Sequence, residues 1–84
     1  MKKVAVISAI LEEPGICQKE FNEVVSDFKE IVKGRMGLPF DEIGLAVISL
    51  TVVGELDQIN SFTGKLGNIQ YVSVKTAISK KEIL

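Results

Sequence analysis

The apolar residues of this chain repeat at every second position, then about every 3.6, then every second again, and the cycle runs twice in 84 residues. Strand, helix, strand, then strand, helix, strand, is the only short reading of that rhythm. It predicts a four-stranded antiparallel sheet with both helices on one face. This is an α+β sandwich on the βαββαβ plan, ferredoxin-like in layout. Residues 1–84 are expected to form one domain. A domain of this length buries only about 60–65% of its unfolded surface, so cover from a second chain would help it.

The first strand is expected at about Lys3 to Leu11. Val4, Val6, Ser8 and Ile10 point one way and Ala5, Ile7, Ala9 and Leu11 the other. Both sets are mainly apolar, as a central strand requires. Glu12-Glu13-Pro14-Gly15 breaks the strand. Pro14 suits the first position of a helix, where its missing N–H is harmless, and the glutamates suit the positive end of the helix dipole. The first helix should run to about Phe28, with Cys17, Phe21, Val24, Val25 and Phe28 as its apolar stripe. A second strand is expected at about Glu30 to Met36, at a sheet edge guarded by Lys33 and Arg35. Residues from Gly37 to Gly44 read as a long connection. The third strand, Gly44 to Val53, carries an unbroken apolar face of Ala46, Ile48, Leu50 and Val52. The second helix is expected from Glu55 to Leu66, with Leu56, Ile59, Phe62 and Leu66 inward and Gly67 as its C-terminal cap. The fourth strand is expected from about Ile69 to Ala77, and Ser79 to Leu84 reads as a frayed tail.

Two helices leave one sheet face open. That face is expected to carry Val4, Val6, Ser8, Ile10, Val47, Ser49, Thr51, Val53, Tyr71 and Ser73. A half-polar face can tolerate water, but a patch this apolar fits a subunit interface better. Val4, Val6, Ser8, Val47, Ser49, Thr51, Tyr71 and Ser73 are its candidate residues, in a dimer or tetramer.

Composition argues against catalysis and metal chemistry. The chain has no His, no Trp and one Cys. Iron–sulfur clusters need four cysteines, and zinc or nickel sites need His and Cys ligands. No cofactor is therefore expected. Cys17 lies on the apolar stripe without a His partner and reads as structural. Ser and Thr lack a base, and Thr63-Gly64-Lys65 falls at a helix end rather than at the start a phosphate loop needs. A net charge of −1 gives no basic footprint for nucleic acid or acidic membrane. The open-face positions are Val, Ser and Thr where RNA modules need stacking aromatics. The apolar run of the first strand ends at Glu12-Glu13-Pro14 with no cleavage site, so a signal peptide is not expected. The stretch from Leu45 to Val53 is too short to span a bilayer. A reducing cytoplasm fits the solitary cysteine.

Several stretches together carry a resemblance over nearly the whole chain. They are Gly34-Arg35-Met36-Gly37-Leu38-Pro39, Val47-Ile48-Ser49-Leu50, Ile59-Asn60, Thr63-Gly64-Lys65-Leu66-Gly67 and Val72-Ser73-Val74-Lys75. With them the chain resembles the regulator family of the iron-only hydrogenase system, an ACT-like domain similar to the C-terminal effector domain of the nickel-responsive repressor. The resemblance implies a non-enzymatic regulator of hydrogenase maturation or expression, acting through a small-molecule effector or a protein partner. The repressor's nickel site needs several His and cannot transfer. Its DNA-binding ribbon-helix-helix domain has no counterpart expected before the first strand. ACT domains generally take small ligands, often amino acids, at subunit interfaces near the turn after the first strand. The resemblance thus implies an effector site at Glu12, Glu13, Pro14, Gly15 and Ile16, against a neighbouring subunit. Free N–H groups at a helix start can hold a carboxylate, and Gly15 allows close approach. The two glutamates favour a zwitterion or cation over free phosphate. The alternative is a structural adaptor without ligand.

Overall fold

A computed structural model describes residues 1–83. The chain runs β1 (Lys2–Leu11), α1 (Pro14–Asp27), β2 (Val32–Phe40), a 3-10 turn (Asp41–Ile43), β3 (Leu45–Glu55), α2 (Leu56–Gly67) and β4 (Val72–Ile83). The four strands form one antiparallel sheet in the order β2-β3-β1-β4, the ferredoxin-like arrangement expected.

Alternation along β1 sets the layers. Ala5, Ile7, Ala9 and Leu11 are buried beneath the helices, while Val6, Ser8 and Ile10 are exposed on the far side. β3 runs antiparallel with Ile7 opposite Leu50 and Ala9 opposite Ile48, so Ile48, Leu50 and Val52 join the same buried face. Each helix contributes its apolar stripe: Cys17 and Phe21 from α1, Ile59, Phe62 and Leu66 from α2. The rings of Phe28 and Phe62 stack with centroids 4.6 Å apart and join the two helices. The Thr63 and Thr76 hydroxyls hydrogen-bond at 3.0 Å and tie α2 to β4.

Gly54 sits where even one added carbon is crowded. It is buried near the end of β3, and an added Cβ would lie 3.0 Å from Ile31 Cγ2. Gly44 closes the 3-10 turn in the left-handed region, at φ 63°, a conformation glycine takes without penalty.

Several boundaries differ from the sequence expectation. β2 does not end at Met36. It continues through Gly37, Leu38 and Pro39 to Phe40, so the expected long connection shrinks to the 3-10 turn and Gly44. Pro39 is compatible with a strand here because β2 is an edge. β4 starts at Val72, not Ile69, and extends to Ile83. Most of the expected tail is therefore strand, with Glu82 opposite Lys3 and Ile83 opposite Lys2. Leu84 lies outside the described residues. Ser79 anchors that extension, since its Oγ accepts the Val4 N–H at 3.1 Å. Gly67 is the last residue of α2 rather than a left-handed cap, and the cap is Asn68 in a right-handed conformation. Leu56, expected inward, is exposed.

Phe62 is fully buried and stacks on Phe28. Phe62→Ala is expected to lower unfolding stability by about 3–5 kcal/mol, a large part of what a small domain has. Urea denaturation followed by circular dichroism measures it; a loss under 1 kcal/mol would contradict this account of the core.

Candidate functional site

The helix layer leaves part of β2 uncovered. The flank of α1 nearest β2 carries Gly15, Gln18 and Asn22, which fall on one side of a helix by their spacing. Across from it, β2 presents Arg35, Gly37 and Pro39, the residues opposite Leu50, Ile48 and Ala46 on the helix side of the sheet. Neither wall offers large apolar side chains for packing. A cleft of about 460 Å³ results, with Leu11, Ala46 and Ile48 on its sheet side and Pro14, Gly15 and Gln18 on α1. Arg35 and Asp41 also line it. The volume falls in the usual range for small-molecule sites.

Arg35 is held at the cleft by two contacts. Its Nη2 donates to Asn22 Oδ1 at 2.8 Å, and its guanidinium carbon lies 5.8 Å from the centre of the Phe21 ring. Among the described residues no carboxylate comes within 4.0 Å of it; the ion pair recorded there joins the Met1 amino group and Glu55.

The residues expected to form an effector site divide. Pro14 and Gly15 line the cleft. Glu12, Glu13 and Ile16 are exposed beside it and are not among its lining residues. Pro14 is the first residue of α1, and the Glu13 carbonyl accepts the Ile16 and Cys17 N–H groups at 2.9 and 3.0 Å. The Glu12 N–H donates to the Tyr71 carbonyl at 2.8 Å, which ties this turn to the one before β4. Gln18, Arg35, Leu38, Pro39 and Asp41 were missing from the sequence expectation. Arg35, Leu38 and Pro39 lie in Gly34-Arg35-Met36-Gly37-Leu38-Pro39, whose second half, from Gly37, read as a connection.

The open face is organised in rows by strand register. Leu38, Val47, Ile10 and Ser73 form one row across the sheet, and Met36, Ser49, Ser8 and Lys75 the next. Thr51, Val6 and Ala77 follow, then Val53 beside Val4. Apolar side chains thus flank a polar central row. Leu38 and Phe40 add exposed apolar surface that a strand ending at Met36 would not supply. Tyr71, expected within the fourth strand, precedes it and sits in the left-handed region at φ 71°.

Cys17 is free and buried. Among the described residues no three His, Cys, Asp or Glu side chains cluster in a metal-holding group. No helix there is long and apolar enough to cross a membrane.

Residues 3–76 match the TM1266-like family, described as "Iron-only hydrogenase system regulator, putative". The chain belongs to this family. Its match spans the cleft and most of the open face. Among solved structures the chain is similar to the uncharacterized protein TM1266 from Thermotoga maritima. That structure has a TM-score of 0.90 and 31% identity, over 95% of this chain and 100% of that one. It is also similar to protein SO0527 from Shewanella oneidensis, with a TM-score of 0.53 and 8% identity over 93% and 91% of the two chains. The second likeness speaks to the fold alone. No curated protein matches the sequence.

The left-handed backbone at Tyr71 costs about 1–2 kcal/mol, and glycine there would remove that cost while adding unfolded-state entropy. Tyr71→Gly is expected to raise stability by about 0.5–1 kcal/mol, read from the shift of the urea midpoint at unchanged slope. A destabilised variant would mean that the Tyr71 side chain makes contacts worth more than the strain.

Proposed function

We propose that this chain is a non-catalytic, ACT-like regulatory module of the iron-only hydrogenase system, which binds a small effector in the cleft between α1 and β2 and self-associates through its open sheet face. The family's description supports the regulatory part. The cleft carries the binding part: a concave site of ligand size beside the first turn of α1, with one cation and one carboxylate on its walls. The expected site at Glu12 to Ile16 is thereby extended toward β2, with Pro14 and Gly15 as the shared wall. The exposed apolar rows around Val6, Ile10, Leu38 and Val47 support self-association, since a stable interface needs about 800 Å² from each partner and a largely apolar centre.

Two outcomes test the reading. Gly15 has no protein atom within 4 Å of the position a Cβ would take, so a side chain there would intrude on the cleft rather than on the core. Gly15→Val is expected to abolish any ligand-induced rise in melting temperature while the oligomer persists. A metabolite panel that leaves the melting temperature of the wild type unmoved would favour a ligand-free structural adaptor. Val47 lies half-buried on the open face, opposite Ile10 and Leu38. Val47→Asp is expected to give a folded monomer, because an unpaired charge in a closed interface costs several kcal/mol. Sedimentation velocity reads the change; a wild type that is already monomeric at high concentration removes the self-association part.

A further inference from the structure

The cleft carries one guanidinium, Arg35, and one carboxylate, Asp41, on an otherwise uncharged lining. Arg35 is exposed, and its contacts to Asn22 and the Phe21 ring orient its guanidinium at the cleft. A guanidinium has five N–H donors, and one of its nitrogens is engaged with Asn22. Within 4.0 Å it has no carboxylate partner among the described residues. A positioned guanidinium without an anion matches a planar carboxylate, which can accept two parallel hydrogen bonds. Asp41, on the same cleft, disfavours a second negative charge. Beyond Arg35 the lining turns apolar, with Pro14, Pro39 and Ala46 around it and Leu11 and Ile48 on the sheet beneath.

Gly37 supplies the room. It pairs with Ile48, whose side chain is buried, and so belongs to the helix side of β2 between Arg35 and Pro39. A Cβ added there would meet no protein atom within 4 Å. The space over Gly37 is open cleft rather than packed interior.

We propose that the cleft takes a small organic monocarboxylate with an apolar tail, its carboxylate on Arg35 and its tail over Gly37 against Pro14, Pro39 and Ala46. The assignment rests on the effector-cleft reading above and narrows it to one ligand class.

The full chain is titrated by calorimetry and by amide NMR with 4-methylpentanoate and phenylacetate, with the primary amide of each, and with inorganic phosphate. The acids are expected to bind and to move the resonances of Gly15, Gln18, Arg35 and Gly37. The amides are expected to bind roughly tenfold more weakly, since a hydrogen bond to a charged group exceeds a neutral one by about that factor. Arg35→Gln should erase the difference between acid and amide. Gly37→Leu should block both ligands while the melting temperature does not fall, because the added Cβ meets no protein atom and the loss of glycine reduces unfolded-state entropy. Amides that bind as tightly as the acids overturn the proposal, as does phosphate that binds more tightly than either acid. If neutral or cationic metabolites move the cleft resonances and the acids do not, the ligand class is wrong while the cleft remains a binding site. If no compound moves them, the effector reading falls with it.

Discussion

Strand β1 is the constraint on which the rest of this structure depends. It is hydrogen-bonded on both sides, to β3 and to β4, and its alternate residues bury a continuous apolar row under two helices. Ala5, Ile7, Ala9 and Leu11 share one buried core with Phe21 and Phe62 of the helices. A one-residue slip of β1 would bring Ser8 and Val6 beneath the helices and turn Ile7 and Leu11 out to water. Register is therefore fixed strongly at the centre of the sheet. It is looser at the edges, where the pairings of β2 and β4 each carry an irregularity, between Val32 and Gly34 and between Lys3 and Ala5.

The cleft arises because the same core stops short of β2. The apolar stripe of α1 turns toward α2 and the central strands, leaving Gly15, Gln18 and Asn22 toward the edge strand. β2 answers with Arg35, Gly37 and Pro39, which offer a charge, an open space and a rigid ring instead of packing groups. One wall is a helix that begins at Pro14, the other the edge strand β2, paired with β3. The opposite sheet face has a different character. It is an open sheet face with exposed apolar side chains such as Val6, Ile10, Met36 and Leu38.

Much of this was legible in the sequence because periodicity depends only on which side of an element faces the core. The stripe of Cys17, Phe21, Val24, Val25 and Phe28 and the faces of β1 and β3 could be read residue by residue. The second half of β2 could not. Gly37 and Pro39 have poor strand propensity and are residue types that mark loops, yet Gly37 to Phe40 pair in register with β3 through Leu45. Pairing to a long, strongly specified neighbour outweighs weak local preference. The end of β4 follows the same logic: Lys80, Lys81 and Glu82 resemble a solvated tail, and pairing of Glu82 and Ile83 with Lys3 and Lys2 carries the strand through them.

The sequence by itself determined the element order, the sheet-plus-helices layering and the two faces of the central strands, since each follows from apolar spacing along the chain. It also placed Pro14 at the head of α1. Tertiary structure alone decided that Arg35 belongs beside Asn22 and Phe21, that Asp41 shares a cleft with Pro14 and Gly15, and that Tyr71 leaves β4 for a left-handed turn whose carbonyl holds Glu12. Those relations join residues far apart in sequence. They depend on how far an edge strand extends and on which flank of a helix it meets, and neither quantity is encoded in any local period.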